Sequence, residues 1–169
     1  MKYHFIINPN AKSKGGKNIY QSIKPALVKW GIDHELHLTQ KKGDATEIAM
    51  MLTQNPVEKV IVVAGGDGTI NEVINGLGDY SNIKLGILPS GTGNDFARGL
   101  ELNKNPIKQL KSIIKESEEI KVDIGQTEIG EKDQPDYEVH RFVVSSGVGY
   151  DARICEITNK SKAKKIFNF

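Results

Sequence analysis

The chain has 169 residues, 38% of them hydrophobic and 26% charged, a balance that suits a globular domain with a core and not a disordered or disulfide-stapled chain. A formal net charge of +2 is too small to argue for nucleic acid, and no nucleic-acid partner is expected. The single cysteine, Cys155, excludes an intrachain disulfide, and no apolar run approaches the ~20 residues of a membrane helix. Met1 to Ile7 passes straight into a strand-like run, so no signal peptide is expected. These features predict a cytoplasmic protein whose contact with a membrane, if it has one, is peripheral.

In chain order, Tyr3 to Asn8 reads as a buried strand closed by the turn signal Asn8-Pro9. Ile19, Ile23, Leu27 and Trp30 fall at helical spacing and predict one apolar face, with Gly31 placed to end the helix and Pro25 to kink or split it. Leu36 and Leu38 alternate with polar residues in a second strand that closes at Thr39. Asp44 to Leu52 reads as a helix with Ile48, Met51 and Leu52 on its apolar side. Lys59 to Ala64 is the clearest buried strand, and Ile70, Val73, Ile74 and Leu77 mark the helix after it. Leu85 to Leu88 is a further strand. Asn105 and Pro106 have the types of an N-cap and first helical residue ahead of Ile107, Leu110, Ile113 and Ile114. This alternation predicts an α/β fold, a mostly parallel sheet flanked by helices, over residues 1–118.

Beyond residue 118 the rhythm changes. Glu119 to Ile124, Gln126 to Ile129 and Glu138 to Ser145 read as successive strands around a polar loop near Gly130 to Asp136. Asp151 to Phe169 reads as a basic helix ending on Ile166-Phe167-Asn168-Phe169. Residues 119–169 are therefore expected to be the start of a β-rich second domain in a truncated chain.

Two loops carry the chemistry. Gly65-Gly66-Asp67-Gly68-Thr69 follows a buried strand and precedes a helix, so its glycines permit a sharp turn and close approach of a ligand. The free N–H groups at the helix start favour an anion such as phosphate. Asp67 would repel phosphate unless a cation lies between them, and a Mg²⁺ bridging carboxylate and phosphate oxygens resolves that conflict. Thr69 and Asn71 add a hydroxyl and an amide at the helix entrance. Ser90-Gly91-Thr92-Gly93-Asn94-Asp95 repeats the arrangement after the next strand. Two such turns at neighbouring strand ends should face one crevice. Neither is a P-loop, and no dinucleotide fingerprint follows the first strand.

Gly65-Gly66-Asp67-Gly68-Thr69-Ile70-Asn71-Glu72-Val73, followed by Leu88-Pro89-Ser90-Gly91-Thr92-Gly93-Asn94-Asp95-Phe96-Ala97-Arg98, strongly resembles the diacylglycerol kinase catalytic domain. That family also includes sphingosine, ceramide and bacterial lipid kinases. Asn8-Pro9, Thr39 with Gly43-Asp44-Ala45, Val122-Asp123 and Gly149-Tyr150-Asp151-Ala152 match it in order. The resemblance implies an ATP- and Mg²⁺-dependent kinase acting on the hydroxyl of a membrane lipid such as diacylglycerol. It places Asn8, Pro9, Thr39, Gly65, Gly66, Asp67, Gly68, Thr69, Asn71, Gly91, Thr92 and Gly93 at the nucleotide. It makes Asp67 a metal ligand, and Asp67, Asp95 and Asp123 the acids of the metal and water network that supports catalysis. It also implies a longer chain, whose further β-rich part carries the base acting on the lipid hydroxyl; no residue here is assigned to that role. One departure concerns the first loop: the family has a small residue and a glycine soon after Asn-Pro, whereas here Ala11 is followed by Lys12 and the glycines come at 15 and 16.

Two alternatives stay open on the residues alone. NAD kinases and phosphofructokinases carry a similar Gly-Gly-Asp-Gly turn, and a non-catalytic nucleotide-binding module would use the same loops. The oligomeric state, a homodimer included, is not legible. His34 and His37 lie three apart on a strand and should point to opposite faces, which argues against a metal shared by those two. His4 and His140 read as structural, and Trp30 as core beside Ile23 and Leu27. Glu116, Glu118 and Glu119 read as a solvated helix end, and Lys160 to Lys165 as either an anionic-bilayer contact or a solvated helix face.

Overall fold

Near-continuous apolar runs form the inner strands of the parallel sheet, as strands covered on both faces require, whereas the edge run His34 to Leu38 alternates apolar and polar residues. A computed structural model describes residues 2–11, 15–55, 57–78, 81–115 and 119–160. In chain order the elements are β1 (Tyr3–Ile7), α1 (Gly15–Lys29), β2 (His34–Leu38), α2 (Asp44–Thr53), β3 (Lys59–Gly65), α3 (Asp67–Gly76), β4 (Ile83–Pro89), α4 (Asp95–Gly99), α5 (Pro106–Lys115), β5 (Gly125–Ile129), β6 (Glu138–Phe142) and α6 (Tyr150–Lys160).

The four-stranded sheet has the order β2-β1-β3-β4, parallel throughout. Chain order reverses between β1 and β3, which opens a crevice at their carboxyl ends of the kind that binds ligands in such sheets. The registers Ile7↔Leu38, Ile7↔Ala64 and Gly65↔Pro89 bring all four strand ends to that edge. On one face Tyr3, Phe5, Ile7, Val60 and Val62 pack with Ile23 and Leu27 of α1 and Leu110 of α5. On the other, Ile6, Ile61 and Val63 pack with Ala45, Ala49 and Leu52 of α2 and Ile70, Val73 and Ile74 of α3. Burying an aliphatic side chain of this size is worth about 1.5–3 kcal/mol. These two apolar layers therefore hold the strand ends in place.

Several expectations are corrected. α1 runs unbroken through Pro25, held to the sheet by the fully buried Ile23 and Leu27 on either side of it. Trp30 lies one residue past the helix and is 36% exposed, not core; Gly31 takes φ +65° and ends the turn. On α2 the buried stripe is Ala45, Ala49 and Leu52, which turns Met51 outward. β4 runs from Ile83 to Pro89, longer at both ends than the expected Leu85 to Leu88, and the short α4 is an element that the sequence pattern does not announce. Asn105 caps α5 as its type suggests, accepting from the N–H groups of Ile107 and Lys108 at 3.0 Å each.

The second sheet is a β5–β6 antiparallel hairpin. Residues 119–124, expected to be a strand, are not one: Ile120 and Val122 are exposed there. Glu119 is not merely solvated, since its carboxylate meets Lys84 Nζ at 2.7 Å. Glu116, Glu118, Lys12 and most of the Lys160 to Lys165 run lie outside the described residues. The hairpin docks on α3 through Asn75, whose side-chain amide donates to the Arg141 carbonyl and accepts from the Arg141 N–H, both at 2.8 Å. Arg141 Nη1 also donates to the Leu77 carbonyl at 3.1 Å. Ile124 and Val143 pack against the core on the α2/α3 side.

Candidate functional site

The site grows from the carboxyl ends of β1, β3 and β4. Asn8 leaves β1 with its N–H on the Ala64 carbonyl at 3.0 Å, which ties it to β3 across the switch point. Its side-chain oxygen accepts from the Asn10 N–H at 3.0 Å, and its side-chain nitrogen donates to Thr69 Oγ1 at 3.2 Å. The first loop and the α3 entrance are thereby joined. Thr39 is buried beside them, its N–H on the Ile7 carbonyl at 3.0 Å.

The two Gly-rich turns touch backbone to backbone. The Ser90 N–H donates to the Gly65 carbonyl at 3.0 Å, extending the β3–β4 ladder into the turns. A Cβ on Gly91 would stand 2.5 Å from the Gly66 Cα, closer than real Cβ atoms come, so a side chain there would separate the turns. Gly68 is different: a Cβ there would meet nothing within 4 Å. Its neighbourhood is open space at the first turn of α3, where leading N–H groups have no intrahelical acceptor. The turn therefore presents helix N–H groups and an unobstructed backbone to whatever approaches, an anion being favoured.

Asp67 is half-buried between the turns. Its Oδ1 accepts from the Phe96 N–H at 3.1 Å, so the first-turn carboxylate also caps the second turn's helix. Gly93 lies against both acids: a Cβ there would be 3.3 Å from Asp67 Oδ2 and 3.7 Å from Asp95 Oδ1. Asp95 pairs with Arg98 on α4. Asn94, in the left-handed region at φ 53°, clamps the second turn by accepting from the Gly91 N–H and donating to the Gly91 carbonyl, both at 2.8 Å. Thr92 and Asn71 are exposed. Asp123 is exposed as well, and Asp67, Asp95 and Asp123 do not bring ligand atoms within 4.8 Å of one another. Of the three predicted acids, the structure gathers two.

A cleft of 230 Å³ opens between Asn8, Thr39, Thr69 and the β2–α2 loop, where Lys41 and Lys42 line it. These lysines were missed as site residues, although a basic pair directly after a strand end was there to be noticed. Asp44 shapes their loop: its Oδ2 accepts from the N–H groups of Gln40 at 2.7 Å and Lys41 at 3.0 Å. Those two bonds hold the Asp44 carboxyl below the usual aspartate range. Pro89, Thr92, Gly93 and Arg98 line a second cleft of 490 Å³ on the α4 side.

This geometry can be set beside known proteins. The family model for the diacylglycerol kinase catalytic domain matches residues 2–127. The chain belongs to that family. A diacylglycerol kinase of Staphylococcus carnosus is 33% identical over 160 residues, covering 94% of this chain and 47% of the relative. One of Staphylococcus saprophyticus is 42% identical over 123 residues, 72% of this chain and 39% of the relative. A diacylglycerol kinase crystal structure from Bacillus anthracis superposes with a TM-score of 0.62 at 32% identity, over 75% of this chain and 43% of that one. The chain spans about half the length of the curated relatives it matches. Among its described residues no helix is long and apolar enough to cross a membrane.

Proposed function

We propose that the crevice between β1 and β3 holds ATP with Mg²⁺, and that the protein transfers the γ-phosphoryl group to the hydroxyl of a membrane lipid such as diacylglycerol. The observation that carries this reading is the closure of two Gly-rich turns on each other, with Asp67 between them and open backbone at Gly68. The residues fit the nucleotide. α3 turns its N-terminus to the crevice, Lys41 and Lys42 line the adjoining cleft, and Asn8, Thr39 and Thr69 offer polar groups beside it. A carboxylate among phosphate-binding groups suits a hard divalent cation, so Asp67 is the proposed metal ligand and Asp95 its neighbour in the surrounding network. Asp123 has that role only if it approaches them in the loaded enzyme.

When bound, Mg²⁺-ATP supplies the phosphoryl group and neutralises charge that builds on its oxygens. The chain's own part is positioning. The α3 N–H groups and the lysines orient phosphates, and the Asp67–Phe96 contact keeps the two turns in register. Oriented binding of this kind accounts for much of phosphoryl-transfer catalysis. The base acting on the lipid hydroxyl is not assigned to a residue of this chain. The proposed site of action is cytoplasmic, peripheral to the inner face of the membrane, where the lipid hydroxyl is reached from the interface.

Calorimetric titration of ATP, with and without Mg²⁺, tests the reading. Asp67→Asn is the sharper control, because it keeps an acceptor for the Phe96 N–H while removing the charge. Affinity should drop in that variant and also in the wild type without Mg²⁺. An Asp67→Asn protein that binds Mg²⁺-ATP as well as wild type would remove Asp67 from the metal site. Offering diacylglycerol vesicles and NAD⁺ side by side as acceptors separates the lipid kinase from an NAD kinase-like activity.

A further inference from the structure

Away from the crevice, the sheet gathers a set of side chains that its function in nucleotide binding does not use. The register His4↔Glu35 and Ile6↔His37 puts His4, Glu35 and His37 on one face of the β1–β2 pair. His34 points the other way, against Phe5 and Tyr20. The partner of His37 is therefore the residue on the neighbouring strand, which spacing along a single strand cannot reveal. His4 Nδ1 and His37 Nε2 face each other at 3.4 Å, their rings stacked at 24° with centroids 5.7 Å apart. Glu35 reaches between them, Oε2 at 3.8 Å from His4 Nδ1 and Oε1 at 3.9 Å from His37 Nε2. It is the one group of three potential ligand side chains found among the described residues with their atoms within 4.8 Å.

Two imidazole nitrogens bound tetrahedrally to one zinc ion stand about 3.3 Å apart, as follows from Zn–N distances of 2.0–2.1 Å. The His4–His37 separation matches that edge; each histidine is nearest a different Glu35 oxygen, so the exposed carboxylate would turn to bring one oxygen toward both nitrogens and complete the face. We propose that His4, Glu35 and His37 form a zinc(II) site with its fourth position open to water. Two imidazoles and one carboxylate favour a borderline ion such as Zn²⁺ over Mg²⁺, which prefers oxygen ligands. The site is thus distinct in chemistry and place from the one at Asp67.

Both histidines are nearly buried, while Glu35 is half-exposed and leaves a path for the ion. Burial also holds both imidazoles below the usual histidine range, in the neutral form that binds metal. Two cations oppose the site. Lys2 Nζ lies 2.9 Å from Glu35 Oε2, and the charge of Lys59 is felt at His4. Lys2 is half-exposed, and an ion pair of that kind is weak, so its ammonium can leave the carboxylate when zinc arrives. A bound ion would tie the edge strand β2 to β1 through side chains. His37 is two residues before Thr39, so that tie would brace the strand end leading into the crevice.

The test uses untagged full-length chain, freed of metal by chelation and dialysis, and titrated with Zn²⁺ alone. One equivalent should bind, and the melting temperature should rise with it. Co²⁺ in its place should give the visible absorption bands of tetrahedral coordination. Glu35→Gln and His37→Gln should each weaken Zn²⁺ binding at least about tenfold. His140→Gln, a surface histidine on the hairpin, should leave it unchanged. Glu35→Gln is the safer variant, because its side chain is exposed and the fold does not depend on it. Equal Zn²⁺ affinity in Glu35→Gln and His37→Gln, octahedral Co²⁺ spectra, or loss of binding in His140→Gln would each overturn the proposal.

Discussion

The sheet region, residues 2–115, and the hairpin with its helix, residues 119–160, are built on different terms. Every fully buried hydrophobic side chain among the described residues lies at or before Leu110. In the later region Val148 and Tyr150 are 85% and 79% exposed, and Ile154 and Ile157 of α6 also face outward. The first region holds itself together with two apolar layers. The second is held to it chiefly by Asn75, Arg141, Ile124 and Val143. The difference teaches where a substitution will be felt: by the whole fold in one region, locally in the other.

Matched truncations would break or sharpen that contrast most strongly. Ile61→Ala, in the central strand, should cost about 2–5 kcal/mol in urea unfolding, whereas Ile154→Ala on α6 should stay within about 0.5 kcal/mol. Comparable losses at the two sites would mean that α6 is covered in solution and that the contrast fails. Gly91→Ala comes next, since its methyl meets the Gly66 backbone. Forcing the turns apart should cost about 1–3 kcal/mol and lower ATP affinity. Gly68→Ala meets open space, so it should keep stability and still weaken ATP binding; a variant that binds normally would show that ligand does not approach that backbone. Asn75→Ala should cost about 1–2 kcal/mol through the two hydrogen bonds to the Arg141 backbone that it removes. Hydrogen exchange should then accelerate in β5 and β6 while β1 and β3 stay protected. Uniform acceleration would show that the two regions unfold as one.

The same contrast governs what could be read beforehand. Lys59 to Ala64 and the periodic residues of α3 report burial directly, because a strand covered on both faces must be apolar throughout. The two turns were legible because glycine, acid and position after a strand coincide. That Gly66 and Gly91 touch was not, since contact between loops 25 residues apart depends on the β3–β4 register. His4 reads as structural in the sequence for a similar reason: its neighbours stand on β2, and only the pairing of two strands brings them together. Residues 119–124 misled because Ile120 and Val122 have strand-forming types, yet a strand needs a neighbour with open hydrogen-bonding groups. Pro25 misled in the opposite direction, tertiary burial of Ile23 and Leu27 outweighing a local penalty.

The smallest expected effect separates the regions by pH. The Asp44 carboxylate is held below its ordinary value of 3.8 by hydrogen bonds from the Gln40 and Lys41 N–H groups. A carboxylate depressed in the folded state adds stability that is full above its unfolded value and is lost as pH falls through the lower folded value. NMR signals of the Gln40 and Lys41 amides should therefore titrate together with a midpoint below 3.8, the ordinary value. Asp44→Asn should abolish that transition. A midpoint at or above the ordinary value would mean that the loop bonds do not form in solution. If amides of β5 and β6 moved in step with those of the loop, acid would be loosening the whole molecule, and the Asp44 loop could not be credited with an independent hold on Lys41 at the crevice.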